Sequence, residues 1–438
     1  MILWKTFDGV GSKILYAEGS DFMSRLSPLW TVIIIGALVV IMIFGIPYQR
    51  AFRKNNIQWL GFIGKISRDI AYNMAVTKGE IVIVGWTGST KEHDDQNALI
   101  VKLSKDGKLL WQKEIGGSGT DGAICVKATK DGGFIVTAIS DSQDGDLPVQ
   151  FGAQDTWLLK YDSSGNLEWK KCYGTKGYDT AFDVVEDDGY VFAGYTTVNG
   201  SEDFWVVKTD YQGNVLWNKI FGGSDWDTAF SIAKTEDGYT VVGMTKSTDG
   251  DVQSNHGSAD MWLVKLSKMG EMVWCKNFGG SDWDQATNVI STRDGGLAIC
   301  GVSWSREIVG ESRAGDFVLI KTDSDGNQQF LKTYGGSSDD IAQRIVETDD
   351  GYVLVGTTWS DDGDVKEKHR GSDYWIIRTD RNGELVWQKC VGDEMDEIAY
   401  ALQVLDDGYL VAGVSYSYVA GLRARSHGNG DMLLVKVR

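Results

Sequence analysis

From residue 56 to the C-terminus one pattern is written seven times. A segment that opens on an acid or amide and ends on a base reads NALIVK from Asn97, DTWLLK from Asp155, DFWVVK from Asp203, DMWLVK from Asp260, DFVLIK from Asp316, DYWIIR from Asp373 and DMLLVK from Asp431. The steps between them are 58, 48, 57, 56, 57 and 58 residues. An aromatic follows at Trp111, Trp169, Trp217, Trp274, Phe330 and Trp387, and an acid two residues ahead of Ala recurs at Asp69, Asp121, Asp179, Asp227, Asp284, Asp340 and Glu397. A unit of this length cannot bury its apolar faces alone, so the repeats must pack on one another as a single body.

Each unit reads as four short strands with alternating apolar residues, separated by DG, GG and GN turns in which Gly supplies positive φ at little steric cost. Four antiparallel strands per unit of about 50 residues are the blade of a β-propeller, whose radial closure protects strand edges. The expected fold is therefore all-β, a seven-bladed β-propeller of four-stranded antiparallel blades. The seventh unit stops at Arg438, directly after its third strand, whereas NIQWLGFIG at 56–64 carries Trp59 in the aromatic position with no strands before it. The N-terminal strand is expected to complete the last blade and close the ring.

The pattern GGSDWDTAFSIAKTEDGYTVVGMTKSTDGDV…HGSADMWLVKLSKMGEMVWCKNFGG resembles the bacterial β-propeller repeat family found in membrane-tethered and secreted surface proteins, over residues 56–438. Segments such as KDGKLLWQKEIGG are also similar to the tryptophan-docking repeats of quinoprotein-type propellers. Those chains typically form eight blades, and their cofactor-binding residues have no counterpart here. The resemblance implies architecture more than task, because propellers host many unrelated functions.

Residues 29–48, LWTVIIIGALVVIMIFGIPY, carry no charge over 20 positions, enough to cross a hydrocarbon core of about 30 Å as a helix. The expected organisation is a flanking segment at 1–28, one transmembrane helix at 29–48, a basic linker at 49–55 and the propeller at 56–438. The expected localisation is a cell membrane, single-pass. Arg50, Arg53 and Lys54 on the C-terminal flank point to a cytoplasmic propeller. So do five cysteines, an odd number, three of which share one repeat position in separate units. The family resemblance points outside, and long domains translocate largely regardless of flanking charge, so the propeller is read as extracytoplasmic. Residues 1–55 carry six basic and three acidic side chains, which turns the chain's formal charge of −18 into −21 over 56–438. That acidity argues against nucleic acid as a partner.

Internal repetition also separates structural side chains from functional ones. A residue present at one register in most units serves the blade, and function belongs where the pattern breaks. By this criterion the repeated tryptophans are core between blades. His93, His256, His369 and His427, each four residues ahead of the strand-starting Asn97, Asp260, Asp373 or Asp431, are expected to make a turn-stabilising hydrogen bond rather than a metal site. The DGD loops at Asp144 and Asp146, Asp249 and Asp251, and Asp362 and Asp364 offer oxygen ligands for calcium, but their spacing is not that of a calcium loop. They read as solvated acidic turns.

The breaks gather on one face, where interblade links and second-to-third-strand loops emerge together. The residue ahead of the repeated acid is Tyr178, Trp226 and Trp283 in three successive units, and Trp304, Trp359 and Tyr416 follow the second strand in units five to seven, with Trp86 near the same rim. Arg306, Arg313, Lys366, Lys368, Arg370, Arg423 and Arg425 stand beside them, the last two in YVAGLRARSHGNG, which contains no acid. Rings around a depression suit stacking on sugars or clamping a peptide, and Arg forks suit an anionic group. The candidate ligand face is Tyr178, Trp226, Trp283, Trp304, Trp359, Tyr416, Arg423 and Arg425. No catalytic constellation, phosphate loop, cofactor motif or metal spacing is recognisable. The expected function is a membrane-anchored, non-catalytic binding or scaffolding propeller for a protein or glycan partner. The alternatives are a structural subunit of a larger membrane-associated assembly and a surface carbohydrate-active enzyme.

Overall fold

Every blade starts with a strand that opens on the repeated acid, and its neighbours in sequence are its neighbours in the sheet. The computed structural model describes residues 50–51, 57–64, 68–88, 96–310, 314–416, 418–419, 424–425 and 430–438. Six four-stranded sheets follow one another in simple up-and-down order. The fourth, for example, runs Asp227–Lys234, Gly238–Thr245, Asp260–Ser267 and Met272–Phe278. The seventh sheet contains Glu397–Leu405, Gly408–Ser415 and Asp431–Val437, with Ile57–Ile63 antiparallel to the last of these in the register Leu60 opposite Val435 and Ile63 opposite Met432. Seven hydrophobic clusters lie one at each blade interface, including that of Ala401 and Leu410 in blade seven with Met74 and Leu99 in blade one. The protein is a seven-bladed β-propeller. Among the described residues no helix is long and apolar enough to cross a membrane, and the segment at 29–48 lies outside them.

The sequence markers have physical reasons. The base ending each third strand is largely buried and reaches an acid of its own blade's first hairpin turn. The seven pairs are Lys102–Glu80, Lys160–Asp131, Lys208–Asp188, Lys265–Asp237, Lys321–Asp294, Arg378–Asp350 and Lys436–Asp407. In blades two, three, five and six the second outer turn is held by an aspartate that accepts main-chain N–H bonds from two and four residues on, as Asp210 does from Gln212 and Asn214, at 2.9 and 2.8 Å, and in blades one and four Ser104 and Ser267 stand in its place. His256 Nδ1 lies 2.6 Å from Asp260 Oδ2 and His369 Nδ1 lies 2.9 Å from Asp373 Oδ2, the local bond that their shared register implies. His93 and His427 are outside the described residues.

The tryptophans divide into two classes. Trp157, Trp205, Trp262 and Trp375 on third strands are at most 3% exposed. Trp111, Trp169, Trp217, Trp274 and Trp387 on the outermost strands are half buried and pack against the interblade clusters, as expected, while the side chain of Trp59 is outside the described residues. Four of them lie over a turn glycine of the next blade, Trp111 and Trp274 at Gly165 and Gly326, while Gly213 (φ +77°) packs on Trp169 and Gly270 (φ +77°) on Trp217, whose Nε1 donates to Lys268 O at 3.2 Å. A side chain at any of these glycines would meet the indole, and the positive φ already favours glycine there.

Candidate functional site

All seven first strands carry a bulge at the same place, three residues after the repeated acid. A bulge inserts one residue that has no partner across the ladder and re-aims the side chains around it. The inserted residues are Tyr72, Ile124, Phe182, Phe230, Thr287, Gln343 and Tyr400. They form a collar inside the ring: Tyr72 and Tyr400 meet edge-on at 5.3 Å between centroids, and Phe182 lies 5.4 Å from Phe230. Burial, with the neighbouring Tyr72 next, pushes the Tyr400 phenol up to about 12.

The next residue in each strand forms the waist of the channel: Asn73, Cys125, Asp183, Ser231, Asn288, Arg344 and Ala401. Asp183 accepts from Ser231 Oγ at 2.8 Å and pairs with Lys127 Nζ at 3.0 Å, while Cys125 Sγ lies 3.3 Å from it. Asn288 Nδ2 donates to Ser231 Oγ at 2.9 Å and its Oδ1 accepts the Ile345 N–H at 3.1 Å. Burial works against the Asp183 carboxylate, yet Lys127 and Arg344 outweigh it and hold its pKa below the usual value. Burial and then Asp183 push the Cys125 thiol up to about 12, so it is no nucleophile at neutral pH. All five cysteines are free. These waist residues follow no common type, with Asn alone occurring twice, which is why they escaped the repeat comparison.

Above the collar, each second strand's exit is tied to the same blade's incoming link by one repeated bond. The N–H of Gly88, Asp141, Thr197, Lys246, Trp304, Trp359 or Tyr416 donates to the carbonyl of Arg68, Thr120, Tyr178, Trp226, Trp283, Asp339 or Asp396, at 2.8–3.1 Å. The two aromatic series of the sequence are therefore adjacent on one rim. Tyr178, Trp226 and Trp359 are 54%, 47% and 36% exposed. Trp283 is half buried, and Lys246 bridges it and Trp226, with Nζ 5.3 and 4.9 Å from their ring centroids. Trp304 is half buried and donates Nε1–H to Asp339 Oδ1 at 2.8 Å, so part of its role is to join blades five and six. Tyr416 is bonded through its hydroxyl to Arg68, whose guanidinium lies 5.3 Å from both the Tyr416 and Trp86 rings. Trp86 sits two residues inside the rim and donates to Tyr72 Oη at 2.7 Å.

Six of the eight sequence candidates thus share this rim. Arg423 is outside the described residues, and of Arg425 only the main chain is described, paired with Tyr418. The rim cations that are described, Arg68 and Lys246, were missed as site residues, although both stand in the two aromatic registers. Blade two, with Thr120 and Asp141, has no ring at these two registers, although Phe151 in its second-to-third-strand loop is exposed. Among the described residues no group of three or more His, Cys, Asp or Glu side chains is arranged to hold a metal.

No family model matches this chain, and no curated protein matches it. Solved structures do. A putative 6-phosphogluconolactonase from Bacteroides uniformis aligns at 12% identity and TM-score 0.48 over 82% of this chain and 100% of that one. Sqt1 from Chaetomium thermophilum, bound to the N-terminus of ribosomal protein L10, aligns at 12% identity and TM-score 0.43 over 84% and 97%. The endosialidase of phage phi92 aligns at 9% identity and TM-score 0.46 over 86% and 68%. The strand order of this chain, rather than these likenesses, defines its fold.

Proposed function

We propose that this protein is a non-catalytic binding or scaffolding propeller that takes a protein or glycan partner over the mouth of its channel. The observation that carries the reading is the rim itself. Seven identical backbone bonds fix its positions, and five consecutive blades fill those positions with Tyr or Trp, three of them well exposed. Exposed rings on a rigid frame lose little entropy on contact and suit stacking or clamping. The uncharged run at 29–48 supports anchoring of the ring to a membrane, with the propeller on the extracytoplasmic side as the family resemblance suggests. Pairing of Ile57–Ile63 with Asp431–Val437 supports closure of the ring by its N-terminal strand.

The test is a glycan array, with a co-purified stoichiometric partner as the second arm, probed with the full chain and with its Trp226→Ala plus Trp359→Ala variant. The reading expects at least a tenfold loss of binding with the thermal midpoint nearly unchanged. Equal binding by the two proteins would remove the rim from the account.

A further inference from the structure

The waist of the channel is a belt of side-chain bonds with one break in it. From blade two to blade six the belt is continuous: Cys125 and Lys127 to Asp183, Ser231 to Asp183, Asn288 to Ser231, and the Ile345 N–H to Asn288. It stops at Arg344. That guanidinium is half buried, makes no ion pair among the described residues and donates one hydrogen bond, 2.9 Å long, to the carbonyl of the adjacent Gln343. In blade seven the same register holds Ala401, a methyl group with nothing to offer a guanidinium. In blade one it holds Asn73, only 6% exposed, whose amide has no hydrogen-bond partner among the described residues.

Charge does not balance at this level. Lys127 and Arg344 face a single carboxylate, Asp183, which already accepts from Ser231, Ile232 N–H and its own Val184 N–H. The Lys127 side chain is still 38% accessible, so solvent reaches the waist. Arg344 shares the field of that one carboxylate with Lys127 but makes no hydrogen bond to it, which leaves guanidinium donors for a charged, hydrogen-bonding partner. The propeller's charge of −21 repels anions at long range, but salt screens that field beyond about 8 Å, whereas contacts within the lumen are screened less.

We propose that the lumen at this break is a seat for one oxyanion, a phosphate or a carboxylate, held in charge-assisted bonds by Arg344 and Lys127 with Asn73 as a neutral donor beside them. Planar, forked guanidinium donors match such groups in two parallel bonds, and a lysine adds a point charge. The seat lies below the aromatic collar, so an anion reaches it through the channel. It stands on the waist alone and holds whether or not the rim takes a partner.

The probe is inorganic phosphate added to the full chain, against chloride at matched ionic strength, with acetate as a second arm. A saturable rise of the thermal midpoint, confirmed calorimetrically with one ion per chain, is expected. Saturation by phosphate alone assigns a phosphate seat, and saturation by acetate as well assigns a carboxylate seat. Arg344→Gln should weaken the binding at least tenfold and Arg344→Lys should restore part of it. If Arg344→Gln does not fold, Lys127→Gln removes the second cation, whose side chain is 38% accessible, and should weaken the binding to a similar degree. No saturable response to either anion, or a response unchanged in Arg344→Gln or in Lys127→Gln, overturns the proposal.

Discussion

The seams between blades and the lumen of the ring share the same sevenfold backbone, yet they use it in opposite ways. At each seam the side chains repeat with the backbone: a third-strand acid or amide faces the repeated acid of the next blade across a glycine, as Asp203 faces Asp227 at Gly222 and Asp316 faces Asp340 at Gly335. In the lumen and on the rim, equivalent backbone positions carry Asn, Cys, Asp, Ser, Arg and Ala, or Arg, Thr, Tyr, Trp and Asp. The seams show what the fold requires of every unit. The rim and waist show what it leaves free, and an asymmetric ligand can be recognised only by the free positions.

Predictions follow that contrast from its strongest consequence to its weakest. Removing 57–63 strips the outer strand from one blade and exposes Asp431–Val437 as an edge. It should lower the Tm by roughly 10 °C or more, at about 2 to 4 °C per kcal/mol for a domain of this size. An unchanged Tm would show that the last blade does not need this strand.

Trp262→Ala, in the seam between blades three and four, should cost about 3 to 5 kcal/mol in denaturant unfolding. Trp226→Ala on the rim should cost less than about 1 kcal/mol. Similar costs for the two would erase the distinction.

The seams also predict a pH dependence. Burial and then the neighbouring Asp340 raise Asp316 to about 7, and burial and then Asp227 raise Asp203 to about 6. The folded state therefore keeps protons that the unfolded chain, with carboxyls near 4, releases. This stabilisation is complete below about pH 4 and is lost as pH rises through about 6 to 7, at up to ~1.4 kcal/mol per pH unit for each group. Urea midpoints should fall between pH 5 and 8 on this account, and Asp316→Asn should flatten the slope. An equally steep slope in the variant would assign the titration elsewhere.

The smallest effect concerns Lys246, which lies over two indoles. Lys246→Ala should shift the emission of Trp226 and Trp283 while changing stability by only about 0.5 to 1 kcal/mol, the scale of an exposed cation–π contact.

Repetition made the blade count, the strand order, the buried base of each third strand and the His–Asp bonds legible in the sequence, because each is one physical requirement met several times. It placed the aromatic series on one face for the same reason. Trp111, Trp169, Trp217, Trp274 and Trp387 do pack against the interblade clusters, but their register does not say that they stay only half buried there. The waist was illegible because a bulge shifts the alternation by one residue inside each first strand. Asp183 and Arg344 thereby turn into a lumen that period-two reading assigns to neither face, and nothing in their own blades announces their partners across the ring.

The most direct test of the account is a photo-crosslinking profile around the ring in intact cells, with benzophenone side chains placed singly at Tyr178, Trp226 and Trp359 on the rim and at Met269 and Tyr211 in the outer turns at the other ends of the strands. The account predicts discrete adducts from the rim positions and none from the turns. Adducts from the turns alone, or the same yield from both sets, would contradict it.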